Sequence, residues 1–184
     1  MIPNDSIDFY PTPDDLADDM IRALRASNDG SGLAYLPEPI LEPSAGNGSI
    51  ARAVERAAGI YREHRTGKIT CGHREAKALD LDCIELSADF RAVLKKDGFR
   101  VVHDDFLTFR PCKQYAAVAM NPPFSAGAAH LLKALDIMKD GGKIACILNA
   151  ETIRNPYTNE RKELLQKLDA LDAKITYKQN AFQN

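Results

Sequence analysis

At 184 residues, 45% of them hydrophobic and 27% charged, the chain has the size and balance of one soluble globular domain. A net charge of −2 excludes nucleic-acid binding by bulk electrostatics alone, while leaving room for a local basic cleft. No apolar run approaches the ~18 residues of a membrane span, and no basic-then-apolar leader opens the chain, so the expected location is cytoplasmic.

Apolar runs alternate with helical patterns, the signature of an α/β fold with a mostly parallel sheet covered on both faces. After an extended Phe9-Tyr10-Pro11, Thr12 is placed to cap a helix, with Pro13, Asp14 and Asp15 in its first turn. Leu16, Met20 and Leu24 share one face, which predicts a helix over about 13–26, ended by Asn28-Asp29-Gly30-Ser31-Gly32. Ile40-Leu41-Glu42 reads as the first strand, Ala45-Gly46-Asn47-Gly48 as a glycine turn, and a helix starts near Ser49. The polar stretch from Arg62 to Asp80 reads as a helix end and a surface loop.

Leu81 to Glu85 is a second strand, Ala88 to Lys96 a helix, and Phe99 to His103 a third strand. Ala116 to Met120 is a fourth, Ala126 to Lys139 a helix, and Lys143 to Leu148 a fifth strand. Glu160 to Leu171 carries strong helix formers, and Lys174 to Tyr177 has the makings of a further strand. The cysteines (Cys71, Cys83, Cys112, Cys146) are scattered. Cys83 and Cys146 sit in apolar runs as expected core thiols, and Cys71-Gly72-His73 offers two ligands where a tetrahedral site needs four, so no metal is expected.

Chemistry-bearing residues gather at predicted strand ends. Glu42-Pro43-Ser44-Ala45-Gly46-Asn47-Gly48 joins a strand to a helix through glycines, which let backbone approach a ligand where parallel sheets bind nucleotides. Ala51 replaces the third glycine of the dinucleotide fingerprint, and a plain strand-to-helix turn is the alternative reading. Glu85 ends the next strand, where a carboxylate can accept both ribose hydroxyls of a nucleoside cofactor; the alternative is a solvated acid. At the third strand end, Asp105 can hold an adenine amino group and Phe106 can pack on the ring, although either Asp104 or Asp105 can instead serve the turn. Met120-Asn121-Pro122-Pro123-Phe124 is the most specific signal. Two prolines cannot extend a central strand, so they make a rigid turn that holds an amide and a carbonyl beside an aromatic ring. Such a set suits a planar heterocycle bearing an NH₂ group, with a structural turn as the alternative.

Phe9-Tyr10-Pro11-Thr12-Pro13, Glu42 to Gly48, Glu85, Asp104-Asp105-Phe106 and Asn121-Pro122-Pro123-Phe124 occur in the order found in amino-directed DNA methyltransferases. The chain resembles class I S-adenosylmethionine-dependent enzymes of that group, with cofactor motifs first and the catalytic motif after. Leu148 to Arg161 is similar to phage- and plasmid-borne members, a setting that includes restriction-modification. Only residues about 55–80 lack a counterpart.

The resemblance implies a Rossmann-like, doubly wound sheet and S-adenosylmethionine as cofactor. It implies that Phe9, Tyr10, Pro11, Thr12 and Pro13 close over the methionine end of the cofactor. Glu42, Pro43, Ser44, Ala45, Gly46 and Gly48 line its amino-acid and sulfonium pocket, Glu85 takes the ribose, and Asp105 and Phe106 take the adenine. Asn121, which also borders the cofactor, and Pro122 hold the target amino group on the turn completed by Pro123, and Phe124 stacks on a flipped-out base.

The implied reaction is methylation of N6 of adenine in DNA. Cytosine N4 fits less well, because that group commonly shows serine where Asn121 stands. The open alternatives are an RNA base-amino methyltransferase, a protein glutamine methyltransferase, and a truncated cofactor- or DNA-binding module without turnover. The expected organisation is a single catalytic domain over 1–184 with no separate target-recognition domain. Residues Arg154 to Lys162 are the best local candidate for contacting DNA, with a solvated loop as the alternative. The family's sheet usually ends in an antiparallel hairpin, and the chain stops at Asn184 one strand short, which raises C-terminal truncation as an expectation.

Overall fold

The computed structural model describes residues 10–27, 34–62, 69–71, 74–75, 79–179 and 181–182. Phe9 and the expected turn at Asn28 to Gly32 lie outside the described residues. In chain order the elements are α1 (Asp14–Leu24), β1 (Ala26–Ser27), β2 (Ala34–Tyr35), β3 (Ile40–Glu42), α2 (Ser49–Ala57), β4 (Ile60–Arg62), β5 (Ile69–Cys71), β6 (Arg74–Glu75) and β7 (Leu81–Ile84). There follow α3 (Ala88–Lys96), β8 (Arg100–His103), β9 (Tyr115–Met120), a 3₁₀ turn (Phe124–Ala126), α4 (Gly127–Ile137), β10 (Met138–Cys146), α5 (Ala150–Arg154) and α6 (Asn159–Ala170).

Five strands form one sheet in the order β10-β9-β3-β7-β8, and every pairing is parallel. The chain winds outward from β3 through β7 to β8, then returns to β9 and β10 on the other side. The order therefore reverses between β3 and β9, and such a reversal opens a crevice at the carboxyl ends of the strands. Both β3 and β9 are buried along their whole length, which is why β9 is an unbroken apolar run and β3 is apolar up to the buried Glu42 at its tip.

Alternate residues of β9 serve two cores. Ala117 and Ala119 pack with Ile40, Leu81, Cys83 and the apolar faces of α1, α2 and α3. Val118 and Met120 pack with Leu41, Ile84, Phe106, Leu131 of α4 and Leu164 of α6. Small alanines on one face let α1 and α2 approach the sheet closely.

Three expectations are corrected. Residues 60–75 are not merely a loop, since β4, β5 and β6 make a small antiparallel sheet. Lys174 to Tyr177 forms no strand, because its residues are exposed and find no partner in a ladder. The helix placed at 126–139 ends at Ile137, and β10 begins at once, with a register shift between Met138 and Lys143 that accommodates Gly141 at φ 73°. A short helix, α5, was not foreseen; Asn149 caps it by accepting from the Glu151 N–H at 2.9 Å. No helix among the described residues is long and apolar enough to cross a membrane.

Candidate active site

Two groups of predicted residues meet at the carboxyl edge of the sheet, on either side of the reversal between β3 and β9. The first surrounds the glycine turn. Gly46 and Gly48 take positive φ values of 52° and 84°, which bend the chain from β3 into α2. At Gly48 a Cβ would also stand 3.0 Å from Leu94 Cδ2, so both conformation and close packing require glycine there.

Glu85 reaches back across this turn. One carboxylate oxygen accepts from the Gly46 N–H at 2.6 Å and the other from the Ser87 N–H at 2.7 Å. The Ala45 N–H donates to the Ile84 carbonyl at 2.9 Å, which ties the turn to the tip of β7. A carboxylate has about four acceptor positions, so two bonds leave room for donors from a ligand.

Glu42, at the end of β3, is 1% exposed, and its Oε2 has no hydrogen-bond partner among the described residues. Burial pushes its carboxyl well above the ordinary range; the nearby Glu85 adds to this, while the Ala51 N–H and Arg52 oppose it. A buried acceptor without a partner is rare in folded proteins and marks a place for a donor or cation. Pro43 and Ala45 are buried beside it, and Ser44 is half-buried.

The second group is built on the turn after β9. Asn121 Nδ2 donates to the Tyr10 carbonyl at 3.0 Å and to Thr12 Oγ1 at 3.1 Å. A backbone carbonyl can only accept, so it fixes which end of the amide carries the nitrogen. Oδ1 is thereby turned the other way, where it is buried without a partner among the described residues. Pro122 is buried, Pro123 leads into the 3₁₀ turn, and Phe124 stacks on Tyr10 with centroids 5.1 Å apart and planes 17° from parallel. At Gly127 a Cβ would come 2.8 Å from Leu148 Cδ2, so α4 starts close against the exit of β10.

Thr12 does not cap α1. Pro13 occupies that position without a side-chain cap bond, and the buried Thr12 hydroxyl is spent on Asn121 instead. Pro11 is exposed and Pro13 half-buried. Phe9 lies outside the described residues.

Two other candidates stand apart. Asp105 uses Oδ1 to accept from the Leu107 N–H at 2.8 Å, and its own carbonyl accepts from Thr108 and Phe109, so it organises its turn. Phe106 is 2% exposed, packed against His130 and under Lys133, so its ring is part of the core. An open cleft of about 390 Å³ between Leu107–Pro111 and α4 is lined by none of the candidate residues at the strand ends, and touches the Arg154 to Lys162 stretch only at Glu160.

Sequence reasoning missed Phe182, whose ring lies 5.9 Å from Tyr10 and 5.7 Å from Phe124. Only its being an isolated aromatic in a polar tail could have drawn attention to it.

The chain matches no protein-family model and no curated protein. Among solved structures it is similar to TrmN from Thermus thermophilus, at 16% identity and TM-score 0.52 over 84% of this chain and 40% of that one. The CcbJ methyltransferase from Streptomyces caelestis matches at 15% identity and TM-score 0.49, over 78% of this chain and 53% of that one. The glycopeptide N-methyltransferase MtfA, complexed with S-adenosyl-L-methionine, matches at 16% identity and TM-score 0.47, over 78% and 57%. The chain thus spans between 40% and 57% of the length of these three structures. Taken with the parallel five-stranded order, the likeness establishes a Rossmann-like α/β fold.

Proposed function

We propose that this chain transfers a methyl group from S-adenosylmethionine to N6 of adenine in DNA. One observation carries the reading: Asn121 is locked by two acceptors on its nitrogen, with its oxygen buried and, among the described residues, unpartnered on a Pro-Pro-Phe turn. An acceptor so oriented calls for a donor, and an exocyclic amino group on a planar ring brings one, with the ring free to stack on Phe124.

The residues near the glycine turn fit the cofactor. Glu85 has acceptor capacity left for ribose hydroxyls, and the orphaned Glu42 Oε2 suits a cationic or donating group. Asp105 is a weaker part of the reading, since one oxygen already serves its own turn. When bound, the cofactor supplies a methyl group already activated on a sulfonium.

What the chain contributes is position and polarity. The adenine amino nitrogen is a poor nucleophile because its lone pair is delocalised into the ring. Asn121 Oδ1 and the Pro122 carbonyl accept hydrogen bonds from its two N–H groups and pull it toward tetrahedral geometry, which localises the lone pair; once methylated, the nitrogen releases one of these protons to solvent. Orientation of this kind contributes ~7–11 kcal/mol in favourable cases, and fixed acceptors stabilise the positive charge that develops on nitrogen. A base held in a duplex has to flip out first, at a few kcal/mol, which stacking on Phe124 partly offsets.

Incubation of the purified chain with S-adenosylmethionine and unmethylated DNA, then mass spectrometry of the digested nucleosides, tests the reading. N6-methyladenine above the no-enzyme control is expected. Methylated bases in RNA but not in DNA would move the acceptor to RNA, and cofactor binding without product in either would leave a binding module.

A further inference from the structure

Beyond the last helix, residues 173–179 are exposed and without regular structure, yet the segment is anchored by its side chains. Lys178 pairs with Asp19 of α1 and holds that carboxyl below its usual range. The Tyr177 ring lies under the Arg154 guanidinium of α5, 4.3 Å from its centre. The third anchor is Phe182, which packs tilted on Tyr10 and edge-on to Phe124. An apolar ring from an exposed segment thus packs against the two aromatics that border Asn121, with Tyr10 still 46% exposed.

The three rings have centroids 5.1, 5.7 and 5.9 Å apart. Two rings that sandwich a planar heterocycle stand about 7 Å apart, twice a stacking separation, so one pair must widen to admit a base. Phe124 is set by the Pro-Pro turn and the start of α4. Tyr10 is set by its backbone, since its carbonyl accepts from Asn121 and the next residue but one, Thr12, does the same with its hydroxyl. Among the described residues Phe182 is held by its ring contacts and, through its segment, by the exposed Lys178–Asp19 pair and the Tyr177–Arg154 contact, so it is the ring that yields most readily.

We propose that Phe182 is the movable third wall of the acceptor pocket, parting from Phe124 when a planar base enters and then closing on the base. It is a substrate-contacting residue that favours extrahelical aromatic acceptors over small or flexible amines. The inference rests on the reading of Asn121 to Phe124 as the acceptor site.

Steady-state kinetics on adenine-unmethylated duplex DNA, for wild type, Phe182→Ala and Phe182→Tyr, test it alongside cofactor titration. Loss of one stacking face raises KM for DNA about tenfold in Phe182→Ala. The maximal rate falls much less, cofactor affinity stays within about twofold, and Phe182→Tyr restores KM because it keeps the ring. Lys178→Ala, which frees the segment without removing the ring, raises KM in the same direction by a smaller factor. A wild type that methylates DNA with KM unchanged in Phe182→Ala overturns this inference and leaves the acceptor site standing. A loss of cofactor affinity equal to the loss of DNA affinity in Phe182→Ala also overturns it, since the ring would then act through the fold. A wild type that methylates neither DNA nor RNA overturns both.

Discussion

With Tyr10 and Thr12 both accepting from the Asn121 nitrogen, the amide is held in one orientation with its oxygen turned away from them. Asn121→Ala is expected to lower single-turnover methyl transfer by at least about 100-fold and to leave cofactor affinity within about twofold. Glu85→Ala shows the opposite split, with cofactor affinity falling about tenfold or more, as for a lost bond to a charged acceptor. Calorimetric titration beside single-turnover rates separates the two. Thr12→Val keeps the shape and removes one acceptor, so the rate of transfer falls roughly three- to tenfold while Tyr10 still holds the amide. An unchanged rate in Thr12→Val would mean that the Tyr10 carbonyl alone orients Asn121. Glu42 gives a pH dependence. Burial raises its folded pKa above the ordinary value, so its protonated form contributes stability that is complete below about pH 4.5 and is lost as pH rises through the raised value. Glu42→Gln removes that dependence, so its melting temperature declines less than that of wild type from pH 5 to pH 9.

At the scale of elements, the strand-to-helix turn between β3 and α2 concentrates the constraints. Gly48 combines φ 84° with a Cβ position 3.0 Å from Leu94. Gly48→Ala therefore adds backbone strain to overpacking and is expected to destabilise the fold by roughly 2–4 kcal/mol. Thermal denaturation reads the loss; a melting temperature within a degree of wild type would mean that α3 moves aside freely. The turn was legible in the sequence because two glycines within three residues interrupt an apolar run. The start of α1 was not, since Thr12 has the right chemistry for a cap and only the nearness of Asn121, 109 residues away, diverts its hydroxyl.

Across the whole molecule, a second cluster of charges lies at the amino end of the sheet, away from the glycine turn and the Asn-Pro-Pro-Phe turn. Asp82 is 3% exposed near the amino end of β7, where it accepts from the Tyr115 hydroxyl at 2.8 Å and pairs with Lys113 at 2.8 Å and with Arg100. Burial, then the Asp82 carboxylate, raises the Tyr115 pKa, so this phenol stays a donor throughout the working pH range. Asp82→Ala leaves the buried Tyr115 hydroxyl without its acceptor, while Arg100 and Lys113 lose one of two carboxylates and keep Asp80. Because Arg100 and Lys113 reach solvent, the expected loss is roughly 2–3 kcal/mol, below that of a fully buried pair. Denaturant melts measure it, and cofactor affinity stays unchanged because the crevice is at the other edge.

The order of strands and helices, the glycine turn, Glu85 and the Asn-Pro-Pro-Phe turn could all be read from the chain itself. Each depends on local rules: apolar runs where strands are buried on both faces, glycine where φ is positive, proline where a strand has to stop. Tertiary structure alone decided that Thr12 and Tyr10 orient Asn121, that Phe106 belongs to the core, and that Phe182 packs against Tyr10 and Phe124. It also turned 60–75 into a small sheet and left Lys174 to Tyr177 unpaired. These outcomes depend on which groups far apart in the chain meet at a sheet edge, and local pattern holds no record of such meetings.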